Sequence, residues 1–169
     1  MNFHKLMIHL LGIDHKFQFL PTPSWTEGSP IIDPIPPALF ERFLLKCAEK
    51  LHPDLLAEEA SQPEPIDHKM SVAHLVAGKC RISHQFSDPD RHERLAMYKR
   101  AGISEEQDRL LGFPIREEFW FNRIFENAEA QAVLFICGAC HIDSFSQKLQ
   151  GASYVVNVIE RDWSPPVEG

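Results

Sequence analysis

Between Val133 and Phe145 a continuous apolar run, VLFIC, breaks at Gly138 and reopens as an amphipathic segment that carries Cys140, His141 and Asp143. This feature constrains the fold more than any other. An uninterrupted apolar strand is buried on both faces, and a parallel sheet covered by helices is the architecture that buries it. A second stretch, KLMIHLLGIDHKFQF from Lys5, does nearly the same near the other end of the chain. Both read as strand followed by Gly-x-x-His: Gly12-Ile13-Asp14-His15 and Gly138-Ala139-Cys140-His141. Strands of this kind deliver side chains to a rim at their carboxyl ends, where ligands bind in open α/β sheets.

The intervening sequence supplies the crossovers. After Gln18 comes FLPTPSWTEGSPIIDPIPP, whose prolines forbid regular helix and central strand and so predict a long loop. Pro36 and Pro37 suit a helix entry, and Leu39, Phe40, Phe43, Leu44, Cys47, Ala48 and Leu51 recur at helical spacing until Pro53. DLLAEEA reads as a second strand, Val72 to Ala77 as a short helix stopped by Gly78, and CRISHQF as a further strand ending near His84. Asp88-Pro89 predicts a helix start, Ser104 with Gln107 a capping box, and Pro114 the entry to the longest helix. In that helix Phe119, Trp120, Ile124 and Ala128 form the expected buried stripe. A strand over 132–137, a helix over 142–150 ended by Gly151 and a last strand SYVVNVI complete the alternation. The expectation is one domain over 1–162, α/β with a mainly parallel or mixed central sheet and helices on both faces, followed by a loose tail over 163–169.

Length and composition narrow the function. A chain of 169 residues, 44% hydrophobic and 24% charged, is enough for one packed core. A net charge of -7 argues against a broad nucleic-acid surface. No apolar run approaches the roughly 20 residues that cross a bilayer, and no secretory leader is expected from the short, histidine-containing first run. Four cysteines do not make a disulfide scaffold, so a cytoplasmic protein is expected.

The candidate site follows from the strand ends. His15 and His141 offer imidazoles that serve as general bases or metal ligands near pH 7. Asp14 and Asp143 either orient those rings or cap the following helices. Glu58 and Glu59 close the second strand, and alternation sends their side chains to opposite faces, so at most one points into a site. Arg116 and Glu117 either hold an anionic group or polarise a carbonyl, or else form a solvated first helical turn. His84, with Asp88 and Arg94, forms a looser group that offers a third imidazole. Cys137-Gly-Ala-Cys140-His141 matches a haem-attachment or redox C-x-x-C pattern literally, but Cys137 is expected in strand packing and Cys140 nearer solvent. The loop over 20–37 is expected to cover the mouth of the site, with Trp25 or Phe19 facing the ligand space.

Paired Gly-x-x-His units, an acidic strand end between them and an Arg/Glu-rich helix before the second resemble the loose superfamily of TraB/GumN proteins, Tiki proteases, erythromycin esterases and ChaN-like haem-binding lipoproteins. The resemblance covers residues 5–18, 54–60 and 114–145. It implies an α/β fold and carries the two family histidines onto His15 and His141, the acidic strand end onto Glu58 or Glu59, and the arginine-containing helix motif onto Arg116 and Glu117. Its activities divide between metal-dependent proteolysis, histidine-centred ester hydrolysis and haem binding. The leading expectation is a hydrolase acting on an amide, ester or phosphate bond of a small-molecule or peptide substrate, in which His15 and His141, with one of Glu58 and Glu59, bind a divalent metal ion or activate water directly; Glu59 is the carboxylate assigned to the metal version. The alternatives are a non-catalytic ligand- or haem-binding module, and a thiol redox protein using Cys137 and Cys140.

Overall fold

The structure is a computed structural model that describes residues 6–22, 33–63, 67, 69–127 and 129–166. Its centre is a five-stranded sheet of β1 (Met7–Ile13), β3 (Leu55–Glu58), β5 (Ser83–Phe86), β6 (Ala132–Gly138) and β7 (Val155–Trp163), in the order β5-β3-β6-β1-β7. Every neighbouring pair runs parallel. β6 and β1 are buried almost along their whole length, as their apolar runs require, and the one polar residue of β1, His9, bonds to Asn157.

Helices cover both faces, as expected of an α/β fold. On one face α1 (Ile35–Leu51) and α2 (Val72–Cys80) pack Phe40, Leu44, Val72 and Val76 against Leu11, Leu56, Leu134 and Ile136. On the other, α4 (Phe113–Phe125) and α5 (Ile142–Gly151) pack Trp120, Ile124, Phe145 and Leu149 against Leu10, Ala57, Val133 and Phe135. Alternation along β3 therefore assigns Leu56 and Glu58 to the α1/α2 face and leaves Ala57 and Glu59 for the α4 side. α3 (Arg91–Ala101) lies outside these layers, with Tyr98 as its buried residue. A two-stranded antiparallel ribbon of β2 (Phe19–Pro21) and β4 (Lys69–Ser71), absent from the sequence reading, ties the segment after His15 to the entry of α2.

Several boundaries differ from expectation for local reasons. Gly78 does not stop α2, which runs to Cys80 and ends where Arg81 turns left-handed at φ 58°. α3 begins at Arg91 because Asp90, not Asp88, caps it through a capping box with Glu93. α4 spans 13 residues against 17 for α1, so it is not the longest, and a π-helical turn over Asp108–Gly112 precedes it. β7 continues through Trp163, which is buried against Phe17, Phe40 and Phe43, so this residue belongs to the core and not to a tail. No described helix is long and apolar enough to cross a membrane.

Candidate functional site

Three adjacent strands, β3, β6 and β1, end together, and each carries a candidate residue just past its carboxyl end: Glu59, His141 and His15. His15 sits in a single 3-10 turn capped by Asp14, whose side chain accepts from the Lys16 amide. Asp14 is therefore a cap, and His15 is oriented by Gln18, whose Oε1 accepts from Nδ1 at 2.7 Å. His141 lies in the corresponding turn after β6 and is buried. Its Nδ1–H donates to Glu117 Oε1 at 2.8 Å, and Ser144 Oγ donates to the same oxygen at 2.5 Å. Asp143 points elsewhere, pairing with Arg161.

Glu59 is the meeting point. Its Oε1 lies 3.5 Å from His15 Nε2, 3.6 Å from His141 Nε2 and 2.5 Å from Arg116 Nη2. Its Oε2 accepts from the Gly138 amide at 2.7 Å. Burial alone would raise the Glu59 pKa, but His15 and Arg116 outweigh it and hold the carboxyl below its usual value. The same carboxylate raises His15 to about 9. At neutral pH the pair is thus an imidazolium beside a carboxylate.

Arg116 and Glu117 are not a solvated first turn; both are buried, on the face of α4 that carries Trp120. Arg116 bridges Glu59 to Asp88, donating to Asp88 Oδ1 from Nε at 3.0 Å and Nη2 at 2.9 Å. Trp120 Nε1 donates to that oxygen at 2.9 Å, and Arg94 Nη2 to Asp88 Oδ2 at 2.6 Å. Asp88 is the residue that sequence reasoning placed least well. Its Asp-Pro context reads as a helix cap; its grouping with Arg94 holds, but its other partners, Arg116 and Trp120, lie 28 and 32 positions away.

Glu58 leaves the site altogether. It points to the α2 face, where Ser71 Oγ and His84 Nε2 donate to its Oε1, so His84 is not a third imidazole beside His15 and His141. The glycines of the two Gly-x-x-His units act by their missing side chains and not by a left-handed turn, since among the described glycines only Gly102 has positive φ. A Cβ on Gly138 would lie 2.9 Å from His15 Nε2 and 3.4 Å from Glu59 Oε2; one on Gly12 would lie 1.9 Å from the Arg161 carbonyl oxygen.

A cleft of about 430 Å³ opens over this network, lined by His15, Gln18, Glu59, Asp88, Arg94 and Arg116 among others. The His15 side chain is 52% exposed and that of His141 1%, so His15 faces the cleft while His141 stands behind Glu59 under Phe113 and Trp120. Phe19 also lines the cleft; Trp25 lies outside the described residues. Cys137 is buried and its thiol is pushed well above its usual pKa by that burial, the reverse of what an activated thiol needs, while Cys140 is exposed.

By donor type, two imidazoles and a carboxylate suit a divalent ion. By position, Arg116 already holds Glu59 Oε1, and no group of three or more His, Cys, Asp or Glu side chains among the described residues is arranged to hold one. Comparison with family models, with curated proteins and with solved structures gives no match to this chain.

Proposed function

We propose that the chain is a hydrolase whose reacting groups are His15 and Glu59. The observation that carries this reading is the convergence of His15 Nε2, His141 Nε2 and Arg116 Nη2 on one Glu59 oxygen beside an open cleft. An ion pair buried on one side and wet on the other has an acid and a base in reach of one bound molecule. Water adds to the carbonyl carbon or phosphorus as Glu59 takes its proton. His15 passes its own proton to the leaving oxygen or nitrogen, and the proton on Glu59 returns to His15 across their contact. The positive charges of His15 and Arg116 stabilise the oxyanion that forms between these events. His141 and Glu117 position Glu59 from behind. This assignment keeps the resemblance to the TraB/GumN, Tiki, erythromycin esterase and ChaN-like group as part of the proposal, and an amide, ester or phosphate bond as the target.

The test is turnover of chromogenic esters, anilides and phosphate monoesters by the wild type, Glu59→Gln and His15→Ala. Folded variants that retain the wild-type rate overturn the reading.

A second reading has a divalent cation held by His15, His141 and Glu59; it requires Arg116 to release Glu59 Oε1, since no described group of three such side chains is arranged to hold an ion as it stands. What favours it is the donor set, two imidazoles and a carboxylate at neighbouring strand ends. Such an ion would supply a water of lowered pKa. Metal analysis of protein purified without a histidine tag, and turnover after chelation, separate the two.

A further inference from the structure

The α2 face of β3 carries a second constellation that the proposed hydrolytic site does not use. Glu58 is fully buried, and both of its donors, Ser71 Oγ and His84 Nε2, bond the same oxygen, Oε1. The other oxygen, Oε2, is buried without a hydrogen-bond partner. A buried carboxylate satisfied on one oxygen calls for positive charge nearby, because an isolated anion in a protein interior is costly. Ser71 is neutral, Lys79 at the far end of α2 pairs with Glu41, and Lys69 at the hollow's rim sits over the Phe19 ring. The nitrogen that reaches Glu58 is His84 Nε2, so His84 is the route by which positive charge is placed beside it.

His84 is arranged to receive it. Its Nε2–H donates to Glu58 at 2.8 Å, which fixes the tautomer and leaves Nδ1 with its lone pair on the opposite side of the ring. That Nδ1 faces Nδ1 of His74 at 3.2 Å. Two imidazole nitrogens on one ion, with bonds of about 2.0–2.1 Å at a tetrahedral angle, lie about 3.3–3.4 Å apart. A carboxylate behind a histidine whose other nitrogen is turned outward is the arrangement that orients metal-bound imidazoles and raises their basicity. The rings are perpendicular to each other, and both contact Phe86, which limits how far they rotate. His74 is exposed on the third residue of α2, beside an open hollow of about 180 Å³ lined by Gln62, Lys69, Met70 and Phe86, so water can complete the coordination.

We propose that His74 and His84 form a second site, separate from His15 and His141, for a borderline divalent transition-metal ion such as Ni²⁺, Zn²⁺ or Cu²⁺, with Glu58 as the positioning residue behind His84. Imidazole nitrogen selects these ions over Mg²⁺ and Ca²⁺, which want oxygen. An ion on His84 places positive charge beside Glu58 through the ring that bonds it.

The experiment is calorimetric titration with NiCl₂ of untagged His15→Ala/His141→Ala protein, which removes the other imidazole pair. The same background then receives His74→Ala or Glu58→Gln, with circular dichroism as the fold control. One Ni²⁺ bound per chain is expected. Affinity should fall at least tenfold on adding His74→Ala, an exposed position where truncation spares the core. Glu58→Gln should lower it about 10- to 100-fold, the usual effect of losing a carboxylate behind a metal-bound histidine. With Cu²⁺, an electron paramagnetic resonance spectrum showing coupling to two imidazole nitrogens should reduce to one in His74→Ala. No bound nickel, or the same affinity with and without His74, overturns the proposal and leaves the two rings as a hydrogen-bonded pair.

Discussion

A single carboxylate oxygen organises the candidate site, and its neighbours can be read in solution one residue at a time. Because Glu59 lies 3.5 Å from His15 and raises it to about 9, the His15 ring protons in a nuclear magnetic resonance titration should keep their acid-form shift well above pH 7. In Glu59→Gln the midpoint should move back toward 6.5, since the partner that raises it has lost its charge. An unchanged midpoint would remove the ionic pair from the proposed mechanism. Gly138→Ala tests the same geometry by volume. Its Cβ would sit 2.9 Å from His15 Nε2, so His15, at the exposed end of the contact, is displaced from Glu59. We expect turnover to drop at least tenfold with a melting temperature little changed.

At the scale of elements, α4 is the part whose reading depends most on its depth. Its first turn delivers Arg116 and Glu117 to two different partners, because consecutive helical residues point about 100° apart. Arg116 then joins β3 to the segment before α3 through Glu59 and Asp88, while Glu117 holds His141 after β6. Replacing Arg116 with Met would leave Glu59 and Asp88 buried near each other without their shared cation. Breaking a buried ion pair in this way typically costs about 3–5 kcal/mol, so urea denaturation of Arg116→Met should show a clearly lowered midpoint. A midpoint within error of wild type would mean that Asp88 and Glu59 are held by their other donors alone.

The molecule as a whole depends on a contact between its two ends of sequence. Trp163, at the end of β7, packs on Phe17 after β1 and on Phe40 and Phe43 of α1. Trp163→Ala should cost about 3–5 kcal/mol, as for large buried aromatics, measured by thermal or chemical unfolding. Had the chain ended its core at residue 162, that substitution would be nearly neutral. The ionic pair in the site also shapes stability against pH. His15 is raised on folding, so its contribution is complete below its ordinary value of 6.5 and is lost as pH rises through about 9. Glu59 is lowered, so its contribution is present above its ordinary value of 4.5 and is lost as pH falls through its folded pKa. Wild-type stability should therefore decline on both sides of this window. The decline above pH 6.5 should flatten in His15→Gln, with the unfolding free energy at several pH values as the measurement.

Periodicity and apolar continuity in the sequence alone determined the α/β class, the two buried strands that end in Gly-x-x-His, and α1 with its proline entry. These are local: an unbroken apolar run cannot face water, and a helical stripe shows in its own spacing. That His15, Glu59 and His141 fall at strand ends was legible for the same reason, since the end of a strand is marked by its own sequence. What faces what was decided only in three dimensions. Alternation says that Glu58 and Glu59 part company, but only the positions of α2 and α4 assign Glu58 to Ser71 and His84 and Glu59 to the two strand-end histidines. Asp88 reads as a helix cap in its own segment and becomes an acceptor for Arg94, Arg116 and Trp120 once α3 and α4 are packed. Trp163 reads as part of a polar tail until Phe17, Phe40 and Phe43 surround it. In each case a side chain's role comes wholly or mainly from partners distant in sequence, which no local pattern encodes.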